Sequence, residues 1–363
     1  MKRQYEQTVF VFSTIIHTVQ SVLLALLLYM SYKHLLSVWP ITRSVLPLTV
    51  YNQSGGQAKS TITRDLAGAF AEQELDVLIV DFDAQNGSVS NYLNLDEDKH
   101  NADADNVALH LIDQGKGPFE DLIQNVDGNK HIDVIPSHKQ FNTVDDKLDD
   151  HAQYLKSGKP DGWEYPRYKR FLQILQQDDI QSKYDVMLVD PNAKADEALY
   201  LALYATRNIL IPAVPTRGGF ESIEGVKNST ENFGDAMDIS ITNLGVVPTM
   251  VKKSKNIHQE YASKIKDTYP SPVYFKNLGA YEKAEDEFST VFDHLKGQRM
   301  REYNADIMPK FRTLAAHIAW RANADLPNGG WSQEELFLGD DFWGDVDTTE
   351  LAVKEPITEG VNQ

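Results

Sequence analysis

Residues 51–66, YNQSGGQAKSTITRDL, combine glycines, a lysine and hydroxyl side chains in an order typical of a phosphate-binding loop. In such a loop, backbone N–H groups and the positive end of the following helix attract an anion. Lys59 would neutralise phosphate charge, and the Ser60 hydroxyl would bind Mg²⁺. Two glycines of the general pattern are replaced, by Gln53 and Ala58. The stretch therefore predicts a nucleotide site with an altered loop.

Acidic residues end two further apolar runs, at 76–81 and 185–190. Asp81 and Asp83 fall on the same side of an extended chain, at the carboxyl edge where parallel sheets bind ligands. Two carboxylates there would support the water shell of a metal and orient an attacking water. Asp190 ends the other run, where nucleotide-binding proteins of this kind place an acidic residue that supports the ligand shell of Mg²⁺. A solvated strand end is the alternative for Asp81 and Asp83.

Short apolar runs alternate with helical patterns through the middle of the chain. Between the first two runs, Ile62, Leu66, Ala69 and Phe70 fall on one helical face. Apolar runs without alternation, separated by helices, indicate parallel strands that are buried on both faces. We therefore predict an α/β fold with a mostly parallel, twisted sheet and helices on both faces. The candidate strands are 47–51, 76–81, 131–136, 185–190, 208–214 and 243–249.

Composition limits the class of protein. The chain has 363 residues, 42% of them hydrophobic, so it can bury a large core. It contains no cysteine, which excludes disulfides, zinc–thiolate sites and thiol catalysis. Its net charge of −18 argues against a purely electrostatic nucleic-acid binder and suits a surface adapted to high salt.

The chain divides into three zones by composition: 1–45, 46–324 and 325–363. Residues 7–32 contain no Lys, Arg, Asp or Glu and are long enough to cross a bilayer as a helix. Two alternatives account for the same apolar segment. It forms an interfacial helix, or the start codon is wrongly assigned upstream of Met30. An ATP-using domain must lie in the cytoplasm, so we expect a cytoplasmic domain with membrane contact through this segment.

The last zone is acidic. From Asp325 to Gln363 the sequence has ten acidic residues and one lysine, a composition typical of a disordered tail. Four aromatic residues in this tail offer an alternative role as a docking stripe for a partner: Trp331, Phe337, Phe342 and Trp343.

The order GGxxKST, DFDAQ, LVDPN resembles the ParA/MinD (Soj-like, SIMIBI) group of deviant Walker A P-loop ATPases. The resemblance extends to residues 111–138, 205–226 and 243–251, and thus covers about 46–320. It implies a P-loop NTPase that uses ATP and Mg²⁺ and forms an ATP-dependent homodimer. It also implies non-specific DNA binding by the dimer, a ParB-like stimulating partner, and a role in plasmid or chromosome partition or in cargo positioning.

Matching positions carry the roles of this family. Asp83 would orient the hydrolytic water, and Lys59 would act with it in catalysis. The Mg²⁺ group would be Ser60, Asp81 and Asp190. Nucleotide contacts would come from Gly55, Gly56, Gln57, Ala58, Lys59, Ser60 and Thr61, with Pro212 and Pro215 at the base. Two basic clusters are candidates for DNA contact, or are simply solvated: Lys252, Lys253 and Lys255, and Lys296, Arg299 and Arg301.

Two departures from the family pattern concern hydrolysis. Ser54 replaces a lysine that reaches the phosphate of the partner subunit, a charge-assisted contact worth roughly 1.5–3 kcal/mol. If that lysine also stabilises the transition state, its loss lowers the rate about 10³-fold or more. Ala58 replaces the glycine before Lys59, where a Cβ crowds the phosphate or strains the loop. We expect nucleotide binding to be retained, while Ser54 and Ala58 argue against fast hydrolysis.

Three functions therefore remain open at this point. The first is a partition-type ATPase that switches between a monomer and an ATP-bound dimer. The second is a nucleotide-gated scaffold that binds ATP with little hydrolysis because of Ser54 and Ala58. The third is a membrane-anchored regulator similar to bacterial tyrosine kinases, in which a transmembrane helix precedes a comparable P-loop domain.

Overall fold

The computed structural model describes residues 45–83, 89–93, 95, 123–137, 144–156, 167–176, 178–296 and 306–322. The helix predicted within residues 7–32 and the acidic tail lie outside these ranges. Among the described residues, no helix has both the length and the apolar character needed to cross a membrane.

Across the described ranges the chain forms a seven-stranded sheet with the order β3-β4-β2-β5-β1-β6-β7. Neighbouring strands are parallel, except that β3 runs antiparallel to β4. All six strands predicted from the sequence are confirmed, and the short β3 was missed. The strands are β1 (Leu46–Val50), β2 (Val77–Phe82), β3 (Gln124–Val126), β4 (Asn129–Ile135), β5 (Val186–Pro191), β6 (Asn208–Ala213) and β7 (Thr242–Pro248).

Helices connect the strands and cover both faces of the sheet, as predicted. On one face Leu48, Leu66 and Phe311 pack in a single core. On the other face Val80, Phe171 and Leu201 do the same. The described helices are α1 (Lys59–Glu72), α2 (Val89–Tyr92), α3 (Val144–Lys156), α4 (Lys169–Leu175), α5 (Asp178–Lys183), α6 (Glu197–Thr206), α7 (Arg217–Met237), α8 (Asn256–Thr268), α9 (Gly279–Asp286), α10 (Val291–Leu295) and α11 (Ile307–Arg321).

The central strands are buried from end to end. Every residue of β2 and β5 is buried, because helices lie over both sides of the sheet. That environment explains why their sequences, VLIVDF and VMLVDP, are apolar without alternation until the last two residues. The position of β5 between β2 and β1 places the carboxyl ends of all three strands side by side.

Candidate nucleotide-binding site

The ends of β1, β2 and β5 bring the residues predicted to act together to one edge of the sheet. Asp81 and Asp190 are direct partners in the β2–β5 register. Lys59, Ser60 and Asp83 lie close enough to Asp190 to influence its ionisation, as does Asp81. The three separate motifs of the sequence therefore form one cluster.

The loop between β1 and α1 has the backbone shape of an anion-binding nest. Gly56 and Ala58 are in the left-handed region, with φ of 68° and 63°, and Gln57 between them does not have a positive φ. Such alternation turns successive N–H groups toward a common concavity. Helix α1 starts directly after it at Lys59, and the Ile62 N–H donates to the Ala58 carbonyl at 2.9 Å. Ala58 thus keeps a conformation that favours glycine, and the expected strain is present.

Open space surrounds the glycines of this loop. A Cβ added at Gly55 or Gly56 would have no neighbouring atom within 4 Å. Both residues are exposed, so their backbone is accessible to a ligand. Only the positive φ of Gly56 requires glycine for the chain itself. The space above the loop therefore suits the close approach of a phosphate group.

A buried asparagine ties the loop to the neighbouring strand. The Asn52 side-chain oxygen accepts from the Ser54 N–H at 2.9 Å, which forms a tight turn. Its side-chain nitrogen donates to the Pro212 carbonyl at 2.9 Å and to the Ser222 hydroxyl at 3.0 Å. Pro212, predicted to contact the base, is thus buried in β6 beside the loop, and Pro215 is buried just after that strand. Asn52 was not predicted from the sequence, although a polar residue at the end of an apolar strand is a usable signal.

Asp190 is the most unusual acid of the site. It is fully buried, and neither of its oxygens accepts a hydrogen bond from the described part of the chain. Burial raises the pKa of Asp190 well above its ordinary value, and the nearby Asp81 raises it further. The Ser60 hydroxyl and Lys59 oppose this rise, but Ser60 lies beside the carboxyl without hydrogen-bond geometry. Two unsatisfied carboxyl oxygens next to a hydroxyl form a donor set that Mg²⁺ prefers.

Lys59 supplies a buried positive charge beside that acid. Its side chain is 8% exposed. Within the described residues it forms no ion pair, although an isolated buried ammonium is unfavourable. A polyphosphate held by the nest would supply the missing negative charge. The residues present therefore fit a magnesium–nucleotide complex.

Asp81 holds the end of β2 in place. One carboxylate oxygen accepts from the Asp83 N–H at 2.9 Å. The other accepts from the Ser90 N–H at 2.9 Å and from the Ser90 hydroxyl at 2.6 Å. The Ser90 oxygen in turn accepts from the Ser137 N–H at 3.0 Å, after β4. These bonds fix the backbone of Asp83, and sequence reasoning did not find Ser90.

The basic clusters have different positions. Lys252, Lys253 and Lys255 are exposed in the loop after β7, at the same edge of the sheet as the nest. Lys296 is exposed at the end of α10. Arg299 and Arg301 lie outside the described residues.

Comparison with known protein families shows which family the chain belongs to. The family described as "AAA domain" matches residues 47–243, which is more than half of the chain. The chain belongs to the AAA domain family. This AAA domain is 25% identical over 249 residues to the uncharacterized protein MJECL24 of Methanocaldococcus jannaschii, a match that covers 68% of the chain and 90% of that protein.

Solved structures share the fold of this AAA domain. McdA of Cyanothece, at 17% identity, has a TM-score of 0.58, with 76% of this chain and 99% of that chain covered. A plasmid partition protein of Borrelia burgdorferi bound to AMPPNP has 18% identity and a TM-score of 0.55, covering 77% and 99%. MinD of Pyrococcus horikoshii with Mg-ADP has 15% identity and a TM-score of 0.53, covering 77% and 96%. The predicted ParA/MinD-type P-loop fold is confirmed.

Proposed function

We propose that this AAA domain binds Mg·ATP at the nest and acts as a ParA-like ATPase in partition or cargo positioning, through ATP-dependent dimerisation. One observation carries the proposal: Asp190 and Lys59 are both buried at this edge of the sheet, and within the described residues the Asp190 carboxyl accepts no hydrogen bond and Lys59 forms no ion pair. Each group is unfavourable alone, and a metal–triphosphate satisfies both.

Each residue has a defined task in this proposal. Lys59 and the N–H groups of residues 55–61 hold the phosphates. Ser60 and Asp190 hold Mg²⁺, while Asp83 orients the attacking water. Bound Mg²⁺ supplies neutralisation of the charge that develops on the phosphate oxygens. The relatives with AMPPNP and Mg-ADP support the same ligand class for this chain.

Nucleotide binding is tested by titrating the purified full chain with a fluorescent ATP analogue, with and without Mg²⁺. We expect Mg²⁺-dependent binding that is lost in Lys59→Ala. Lys227→Ala, which removes an exposed lysine of α7, is the matched control and should bind as the wild type does. An absence of binding by the wild-type chain with Mg²⁺ rejects the proposal.

Dimerisation is tested by sedimentation velocity with ATP, with ADP and without nucleotide. We expect a dimer with ATP and a monomer in the other two conditions. An unchanged sedimentation coefficient in all three rejects the ATP-dependent dimer and leaves nucleotide binding standing.

A second candidate function is an ATP-binding scaffold with little hydrolysis, favoured by the residue at position 54. Ser54 has a short uncharged side chain, and its N–H is already bonded to Asn52. It cannot replace a lysine that reaches another subunit. Phosphate release by the wild type, with and without DNA, is compared with that of Ser54→Lys combined with Ala58→Gly. Slow wild-type release and faster release by the double variant support the scaffold, whereas unchanged release contradicts it.

DNA contact by the dimer would fall on Lys252, Lys253 and Lys255, since all three are exposed at one loop. Replacing the three by alanine should weaken DNA binding uniformly across sequences and flatten its salt dependence. An unchanged salt dependence assigns them to a solvated surface.

Membrane contact through residues 7–32 is tested by fractionating cells, where a full-length chain found only in the soluble fraction rejects it.

A further inference from the structure

Gln57 lies between the two left-handed residues of the nest and contacts the ends of two strands. Its side-chain oxygen accepts from the Val214 N–H at 2.7 Å, just after β6. Its backbone carbonyl accepts from the Thr249 hydroxyl at 3.2 Å, just after β7. Its side-chain nitrogen lies 3.4 Å from the Gly55 carbonyl, a weak contact within the loop. Gln57 thus connects the nest to the ends of β6 and β7.

These contacts set the direction of the next N–H group. The peptide between Gln57 and Ala58 is planar and trans, so its carbonyl and its N–H point to opposite sides. Because the Gln57 carbonyl is held by Thr249, the Ala58 N–H faces away from β7. The alternation of the nest depends on keeping this peptide in that orientation.

Ala58 makes this orientation difficult to maintain. Its φ of 63° and ψ of 31° are unfavourable for a residue with a Cβ, whereas glycine adopts them freely. Helix α1 holds the carbonyl of Ala58, since the Ile62 N–H donates to it at 2.9 Å, but this bond does not involve the peptide before Ala58. The contacts of Gln57 lie immediately before the strained residue and reach a buried threonine, Thr249.

We propose that Gln57 is a positioning residue that holds Ala58 in the left-handed conformation and so keeps the nest formed. This inference rests on the proposed function, because the nest is taken to bind phosphate. The side chain of Gln57 is engaged within the protein, because its oxygen accepts from the Val214 N–H and its nitrogen lies near the Gly55 carbonyl, so we assign it a positioning role. The chain thereby replaces the freedom of a glycine at position 58 by an anchor at position 57.

The inference predicts that the two positions are coupled. Gln57→Ala should weaken binding of the fluorescent ATP analogue about 10-fold, because the strained loop loses its anchor. The same substitution in the Ala58→Gly background should cost no more than about 3-fold, since glycine needs no anchor. Thr249→Val should weaken binding in the same direction, and Thr249→Ser, which keeps the hydroxyl, should restore it.

The outcomes separate this inference from the proposed function. Equal binding by wild type and Gln57→Ala overturns the inference, as does an equal loss in both backgrounds. If the wild type binds no nucleotide, the proposed function fails. The coupling is then measured by urea unfolding of four proteins: the wild type, Gln57→Ala, Ala58→Gly and the double variant. Gln57→Ala should then destabilise the chain more when position 58 is alanine than when it is glycine, and equal losses overturn the anchor.

Discussion

Replacing Asp190 by asparagine should change how the stability of the protein depends on pH. The carboxyl is buried with no hydrogen bond from the described residues, and burial raises its pKa well above the ordinary value of 3.8. Over the interval between the unfolded and the folded pKa, the folded chain holds a proton that the unfolded chain has released. The contribution of this group to stability is therefore highest at low pH and falls as pH rises through this interval.

The size of the effect follows from proton linkage. For one proton, the unfolding free energy falls by about 1.36 kcal/mol for each pH unit within the interval. Asp190→Asn has no carboxyl to titrate, so this contribution disappears. The unfolding free energy of the variant, minus that of the wild type, should increase as pH is raised above about 4 and level off beyond the folded pKa.

Urea unfolding of the nucleotide-free full chain at a series of pH values measures this difference. Asp235→Asn, which alters an exposed acid of α7, is the control and should follow the wild type. Binding of Mg²⁺ requires the ionised carboxyl, so wild-type affinity for Mg·ATP should rise more steeply with pH than that of Asp190→Asn. Parallel stability curves for wild type and Asp190→Asn would refute the assignment of a buried, protonated acid.

Two further predictions concern α7 and α11. A Cβ at Gly219 would lie 1.8 Å from the Val214 carbonyl oxygen, so Gly219→Ala should lower the free energy of unfolding by about 1–3 kcal/mol. Gly218→Ala is the control, because a Cβ there has no atom within 4 Å, and it should be neutral or stabilising in the same urea assay. Burial lowers the pKa of Lys310 from 10.5 to about 8, against the opposing effect of Asp306. The unfolded chain therefore binds the extra proton between these values, so stability should rise with pH there by up to about 1.36 kcal/mol per unit, and Lys310→Met should remove that rise.

The strands of the sheet could be predicted because their burial leaves a direct trace in the sequence. The predicted run 185–190 became β5, Val186–Pro191, and the other predicted runs deviate by no more than two residues at an end. Strand β3 was missed because three residues, QNV, are too short to show a pattern. A signal was nevertheless present, since Asp127-Gly128 between β3 and β4 is a typical hairpin turn.

The members of the site could be predicted, but not the contacts that hold them. Motif order and position placed Lys59 and Asp190 at one edge, which the register of β2 and β5 explains. The anchors of the loop depend on partners distant in the chain. Asn52 bonds to a residue 160 positions away, and the Gln57 carbonyl to one 192 positions away. Local patterns contain no information about such pairs, whereas the glycine expected at position 58 did indicate the strained backbone that Ala58 adopts.

The bonds from Asp81 to Ser90 and on to Ser137 join three strand and helix ends into a single mechanical unit. If Asp83 orients water as proposed, a movement of its backbone would also displace Asp81, because its N–H is bonded to the same carboxylate. With the proposed triphosphate bound, such a displacement would reach Ser137 after β4, the second strand from the edge of the sheet. A protein that binds near the end of β4 would then alter the position of Asp83 without contacting the nucleotide.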